Sequence, residues 1–545
     1  MRFGPERRNA IPRADLHGWL VMALLGLPWP MMGEQSSASA ALNPPRLGLL
    51  EAVKLTLEKD PVVQMQKKQI LIAQGAAESA AGQFDTTFDT EITSGITRTP
   101  LTASQKIENG LPSSFQVLQQ ESTTYQMGLN KQLRSGVTLG SSVGITRLVD
   151  NANQQTPADV GQVVFDINVP LLRGLGRTVV GAPERVAHLN AEAAALDLRQ
   201  TTATRVFNTV SAYWSCWAAE REVEVLRDSN ERSRRLLDHL TELVKANEFA
   251  AADLAQAQAD HEEKEADLLA DEQQFYNARQ ALGLAMGLGT SELPGTPLPE
   301  TNSLAPPNSL RTVGSLGDTW LRMSLQRRSD YQSALKAEQA SVVLLVLAQN
   351  NVKPQLDLNL QVGYTGLDSG GQFQRFPGAL DPWSTPGPNL LGTLRLALPI
   401  GNHAAQGVLA ERDAARDQAS IRSRDLARNI ASALESSLME MEAAVRELHR
   451  LDLAVQVSQK AVSNEIEKLQ LGHSTVVDQI IVADRFSNTR LKRALASARY
   501  ATAVVRLRYE SGMLVPADVP MPASITSADL LTPLTFDGWP PPPNR

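Results

Sequence analysis

Hydrophobic and polar positions along this chain follow two periods, and the longer-lived one belongs to helices. Between Pro399 and Leu514 no proline interrupts the chain. Leu434, Leu438, Met441, Val445, Leu448, Val455, Val462, Ile466 and Leu469 recur at steps of four and three, the seam of a coiled coil, with Asp452 and Gln459 as polar interruptions. The pattern predicts a helix from Gly401 to Leu471, roughly 105 Å long at 1.5 Å per residue. Gly472 can take the left-handed conformation that ends it. Thr475 with Asp478 three residues on reads as a capping box that starts the returning helix. A second long helical region runs from about Thr178 to Gly287, its break placed at Ala246-Asn247-Glu248. A shorter one covers Leu47 to Gln83 with a fresh start at Pro61.

Elsewhere the period is two. Phe84, Phe88, Ile92 and Ile96 alternate with Asp85, Thr87, Asp89 and Glu91, and five further segments do the same: Tyr125 to Leu133, Val137 to Arg147, Val163 to Leu171, Leu356 to Tyr364 and Leu390 to Leu398. Leu133-Arg134-Ser135-Gly136 supplies a tight turn, whereas long polar loops run from Pro100 to Thr123, Asp150 to Asp159 and Asp368 to Pro388. Short turns at one end and long loops at the other match a transmembrane barrel. A soluble sandwich gives the same alternation, so periodicity alone leaves both open. If the strands do face lipid, one chain has too few to close a water-filled barrel, and open edges would leave backbone groups unsatisfied; subunits would have to share it.

The order of elements runs twice. Asp253 to Gly287 and Asp478 to Gly512 span equal distances, as do Asp60 to Phe84 and Asp330 to Pro354, which predicts an internal tandem repeat. The expected organisation is an exported leader at 1–40, a first repeat at 41–289, a connector at 290–315, a second repeat at 316–514 and a disordered tail at 515–545. The leader rests on Arg2, Arg7, Arg8 and Arg13, then an apolar run around Trp19–Leu27, then Ala38-Ser39-Ala40.

Composition removes several function classes. A net charge of -7 with no basic tract argues against nucleic acid. Cys216 is the single cysteine, so neither a disulfide framework within the chain nor a lipid-acceptor cysteine near the leader is available. His261-Glu262-Glu263-Lys264-Glu265 starts like a zinc-protease helix but puts Glu265 where the second histidine belongs, and reads as a solvated face. Gly174-Leu175-Gly176 lacks the third glycine of a dinucleotide loop and reads as a strand-to-helix bend. No catalytic, cofactor or metal residues are expected.

Several short stretches, in order, carry a resemblance over nearly all of the chain after the leader: Leu50-Glu51-Ala52-Val53 through Asp60-Pro61, Pro170-Leu171-Leu172-Arg173-Gly174, Ala212-Tyr213-Trp214, Arg328-Ser329-Asp330, Pro399-Ile400-Gly401-Asn402, and Leu471-Gly472 followed by Asp478. The chain resembles the TolC-type outer-membrane efflux protein family. The resemblance implies an α+β membrane protein: a homotrimer sharing one transmembrane β-barrel, continued by a long α-helical coiled-coil barrel across the periplasm. It further implies a passive exit duct meeting a periplasmic adaptor and an inner-membrane pump, of RND or ABC type, in efflux or type I secretion. A periplasmic coiled-coil scaffold without channel activity is the alternative.

Asp478 matches a family aspartate at the periplasmic aperture, where three symmetry copies would form an acidic ring. Asp253 is its counterpart on the first hairpin. Helix capping is the plainer role for both. Asn247, Glu248 and Phe249, with Leu471, Gly472, His473, Ser474 and Thr475, are the expected adaptor-contact tips. Three departures stand out: six alternating segments where the family has four, Ser329 in place of a proline before Asp330, and Ile481 where the family has a second aperture acid. Six inserted segments would widen the trimeric barrel; otherwise the hairpin of Tyr125 to Arg147 would fold outside it.

Overall fold

The computed structural model describes residues 46–108, 110–152, 158–246, 250–300, 318–369, 378–381, 388–515, 525–527 and 530. The expected leader and most of the connector lie outside these. In chain order the elements are β1 (Arg46–Leu47), α1 (Leu49–Lys59), α2 (Pro61–Ala81), β2 (Thr86–Pro100), α3 (Ala103–Glu108), β3 (Val117–Gln132), β4 (Thr138–Asp150), β5 (Ala158–Pro170), α4 (Arg177–Val180), α5 (Ala182–Lys245) and α6 (Ala251–Ala285). They continue with β6 (Leu298–Pro299), α7 (Asp318–Arg327), α8 (Ser329–Asn351), β7 (Gln355–Ser369), β8 (Asn389–Ala397), α9 (His403–Gln470) and α10 (Val476–Glu510).

All six alternating segments pair into one antiparallel sheet, in the order β2-β3-β4-β5-β7-β8. The strands at the two sides of the first hairpin outrun the expected loop boundary, pairing as far as Pro100 opposite Val117. The alternation fades there because Arg98, Gln119 and Glu121 are polar on the face that is apolar lower down, while the backbone ladder continues and the Arg98 side chain donates from Nε to Gln119 Oε1 at 3.2 Å. Phe84 sits just before the sheet in a 3-10 turn, buried, with the Arg134 guanidinium 4.6 Å above its ring.

Glycine places the joints between sheet and helices. Gly174 and Gly176 take φ of 83° and 103° where β5 leads into α4, and Gly401 takes 85° where β8 leads into α9. A side chain at these angles is strained. Gly174 N–H also donates to Asn350 Oδ1 at 2.8 Å, tying the joint to the end of α8. The bend expected at Gly174-Leu175-Gly176 is therefore present.

Below the sheet, α5 and α6 form one hairpin and α9 and α10 another. α9 has 68 residues, about 100 Å of helix. Its seam divides. Leu434, Leu438, Met441, Val445 and Leu448 are buried against Ala496, Tyr500, Ala503, Val504 and Leu507 of α10. Towards the tip, Val455, Val462 and Leu469 are only half-buried and Ile466 is 39% exposed.

The main core lies between sheet and tips. Val206, Val210, Tyr213, Trp214 and Trp217 of α5 meet Leu49 and Val53 of α1, Leu282 of α6, and Ala501 and Val505 of α10. Cys216 is fully buried there, and burial, then the nearby Glu220 carboxylate, push its thiol pKa up to about 12. Tyr213 ties the small parallel sheet of β1 and β6 together: its hydroxyl donates to Leu47 O and accepts from Glu300 N–H, both at 3.0 Å. The tail expected to be disordered contributes to this core, since Val515, Ile525 and Leu530 are buried in it.

Helix–helix–strand–hairpin order recurs in both halves. The match at the short helices is offset by two residues from the expected one. α2 starts after an Asp60 N-cap, which accepts from Val62 and Val63 amides, whereas α8 starts after Arg328, before Asp330. Ser329, at the position that lacks the proline, is the first residue of α8, and Arg328 before it carries a charge network. Its guanidinium pairs Asp330 at 2.6 Å and Glu510 at 2.7 Å and lies 5.2 Å from the Tyr509 ring, fixing the start of α8 to the end of α10.

Candidate functional site

Two places in the chain are built in ways a self-contained fold does not need. The first is the sheet. Register puts Phe88 opposite Leu129, Met127 opposite Val143, Phe165 opposite Val362, and Leu358 opposite Leu394, so one face is apolar across all six strands. Most of that face is bare, with Phe88 65% exposed, Phe165 58% and Leu394 64%; towards the long loops Ile145 is buried, and Ala379 and Leu380 lie over Gly161 and Tyr364. The other face carries Thr87, Asp89, Gln126, Thr124, Thr146, Gln162, Asp166, Asn359 and Gln361. β2 and β8 are the sheet edges, exposed along their whole length. No helix among the described residues is long and apolar enough to cross a membrane.

The second place is the hairpin tips. Gly472 takes φ 73°, and His473 N–H reaches Lys468 O at 2.9 Å, closing α9 with a left-handed cap. Thr475 starts α10 reciprocally: its Oγ1 accepts from Asp478 N–H at 3.1 Å and donates to Asp478 Oδ2 at 2.6 Å. Bonds from the Thr475 hydroxyl and then its amide hold the Asp478 carboxyl below the usual carboxylate range. Ser474 and Lys468 do the same for Glu465. Leu471 and His473 are exposed and Ser474 is half-buried.

Asp253 occupies the third turn position of α6, as Asp478 does in α10, but the cap before it is Ala250 and no side chain closes that helix start. Asn247, Glu248 and Phe249 lie outside the described residues. The two tips are packed together through Val476, which is buried against Leu240 and Ala257 of the first hairpin.

Between the hairpins, just above the tips, α5, α6, α9 and α10 enclose a cavity of about 680 Å³. Leu236, Leu240, Val462, Ile466 and Leu469 line it on the apolar side, which is why the seam of α9 stays open there. Its polar wall ties the hairpins to one another. Lys264 of α6 lies 2.7 Å from Asp484 of α10 and 3.7 Å from Asp260, and Asp260 accepts from Ser233 at 2.6 Å. Burial disfavours the Lys264 ammonium, yet the Asp484 hydrogen bond and charge, with Asp260 and Glu263, raise its pKa above the ordinary value.

Arg490 of α10 reaches Asp228 of α5 at 2.7 Å, and Arg232 donates to Ser487 at 2.8 Å. Both guanidiniums flank the Phe486 ring. The charge pattern of α6 predicts Lys264 on a solvated face. Glu262, Glu263 and Glu265 are exposed, but the Lys264 side chain is 13% exposed, because it points across to a carboxylate 220 positions later in the chain. A charge pattern within one helix carries no trace of such a partner.

No family model matches this sequence, and no curated protein matches it. Solved structures do. The CmeC outer membrane channel of Campylobacter jejuni aligns with TM-score 0.61 at 13% identity over 85% of each chain. The outer membrane protein VceC of Vibrio cholerae aligns with TM-score 0.60 at 15% identity over 85% of this chain and 96% of its own. The open-state MtrE outer membrane channel of Neisseria gonorrhoeae aligns with TM-score 0.57 at 13% identity, over 88% and 94%. This chain has the fold of those channels.

Proposed function

We propose that copies of this chain assemble, three at a time, into a passive exit duct: one shared barrel in an outer membrane, with the long hairpins joined below it as a tube through the periplasm. A periplasmic adaptor and an inner-membrane pump would supply cargo and energy, in efflux or type I secretion. The observation that carries this reading is the bare apolar sheet face bounded by two unpaired edges. In lipid each unsatisfied backbone group costs several kcal/mol, so edges of this length demand partners. The shared fold with outer membrane channels supports the location, and the expected leader is consistent with export. The tandem order of elements supports a duplicated protomer whose two hairpins alternate around the tube.

The hairpin tips are the adaptor-contact and closing end. Val476, the Lys264–Asp484 pair and the Arg490–Asp228 pair hold one hairpin against the other, which keeps a tapering aperture narrow; parting them would open it. Asp478 keeps its cap, and three copies around the axis would also present a carboxylate ring to cations. Mass measurement in detergent together with conductance in planar bilayers tests the reading. A trimer that conducts supports it. A soluble monomer without conductance supports a periplasmic scaffold instead. Asp478→Asn should reduce block of the pore by divalent cations, and unchanged block would leave Asp478 with the cap alone.

A further inference from the structure

We infer that all six strands of each protomer enter the barrel, so that β8 of one copy pairs with β2 of the next and the closed ring has eighteen strands rather than twelve. This rests on the exit-duct reading and goes beyond it, because it fixes the width of the exit.

The hairpin β3–β4 is fitted into the sheet on both flanks and at its foot. On the face opposite the apolar one, Asp89 of β2 lies over Gly128 of β3, its Oδ2 2.7 Å from where a Cβ would sit. Asp166 of β5 lies over Gly140 of β4, its Oδ1 2.1 Å from the corresponding point. Each glycine is a notch for a neighbour's carboxylate, and Asp89 also accepts from Asn130 at 3.0 Å.

The foot is pinned where sheet meets helix. Arg134 forms two bonds to Glu184 of α5, at 2.9 and 2.6 Å, Gly176 N–H donates to Ser135 O at 2.9 Å, and a Cβ on Gly136 would fall 2.2 Å from Gly174 O. A hairpin folded outside the barrel would forfeit every one of these contacts. Its outer face, Met127, Leu129 and Val143, also joins the apolar band of β2 and β5, with Ser141 the polar position between Leu129 and Phe165.

Circumference points the same way. Strands about 4.8 Å apart and tilted about 40° give a ring of ~113 Å for eighteen and ~75 Å for twelve. Four helices per protomer, α2, α5, α8 and α9, join the sheet. Twelve helices packed at about 8–10 Å make a ring of ~96–120 Å. Eighteen strands therefore seat on the tube without a step, and the hairpin β3–β4, which has no helix of its own, fills the arc that the other strands leave. The barrel is ~36 Å across between backbones instead of ~24 Å. Lined by threonine, serine, asparagine, glutamine and glycine with a few charged residues such as Asp89, Glu91, Asp166 and Arg395, it has room for a helical hairpin, since a single helix with side chains is about 10–12 Å wide.

Electron microscopy of the full chain, purified as its detergent-solubilised assembly, decides the matter. Threefold particles with a barrel ~36 Å across are expected. Threefold particles with a barrel ~24 Å across would overturn the inference while leaving the duct intact, and particles with no hollow barrel would remove the duct itself. A second measurement needs no image. As separate variants, Thr93→Cys with Thr124→Cys bridges β2 to β3 and Thr146→Cys with Val160→Cys bridges β4 to β5, while Thr93→Cys with Val160→Cys, on the same face of the sheet, bridges only where β2 pairs directly with β5. The first two pairs are directly opposed, and the buried Cys216 stays out of the chemistry. Oxidation of the first two pairs in assembled, membrane-extracted protein supports the inference; assembled protein in which β2 bridges to β5 instead overturns it.

Discussion

The core around Trp214 and the sheet contain the same kinds of side chain and treat them oppositely. Val505, Leu282 and Val53 are fully buried by other parts of their own chain, whereas Leu390 is 77% exposed and Ile92 68%. The core is finished by one protomer. In the proposed duct the sheet would be finished by lipid on its face and by neighbours at its edges. Stability would then be divided between what the chain supplies and what its surroundings supply.

Substitutions can break that contrast. Leu434→Ala empties a fully buried seam position, and should cost about 2–5 kcal/mol in chemical denaturation, in detergent and in lipid alike. Phe165→Arg, mid-strand on the bare face, should cost ~2–4 kcal/mol of membrane stability, while Thr124→Arg on the opposite face should cost little; refolding into vesicles separates the two. Equal effects at Phe165 and Thr124 would mean that the apolar face does not meet lipid.

Lys264→Glu removes the tie to Asp484 and puts like charges together, so it should raise conductance severalfold while the sheet stays folded. Thr475→Ala should cost ~1 kcal/mol, the usual worth of such a cap, and loosen the tip to proteolysis alone.

The smallest expected effect is that of pH. The Asp478 and Glu465 carboxyls are held low, so what they contribute is present above their unfolded values, about 3.9 and 4.3, and is lost as pH falls through their lower folded values. The Lys264 pKa is raised, so its contribution is complete below about 10.4 and fades only as pH rises through the folded value. Conductance recorded against pH should therefore stay flat across neutrality and change first on the acid side, at the tips.

The two regions also differ in how openly the sequence shows them. Period two revealed all six strands, and spacing of three and four revealed α9 with its Gly472 cap, because each signal is local. The seam was legible as a pattern but not as an outcome. Val462, Ile466 and Leu469 continue the heptads, yet they line a cavity because the facing hairpin stands off there. The Lys264–Asp484 and Arg490–Asp228 pairs were invisible for the same reason: their partners meet only after both hairpins are laid side by side. The β1–β6 pairing escaped because two residues per strand carry no period. In the tail, the prolines point to disorder, while the described Val515, Ile525 and Leu530 pack in the core.

Cys216 has a quieter implication. One thiol, shut away beside two tryptophans, can neither mispair within its chain nor weld two chains together under oxidising conditions. Assembly of the proposed trimer would then be left wholly to reversible contacts, and a misdocked subunit could always let go and try again.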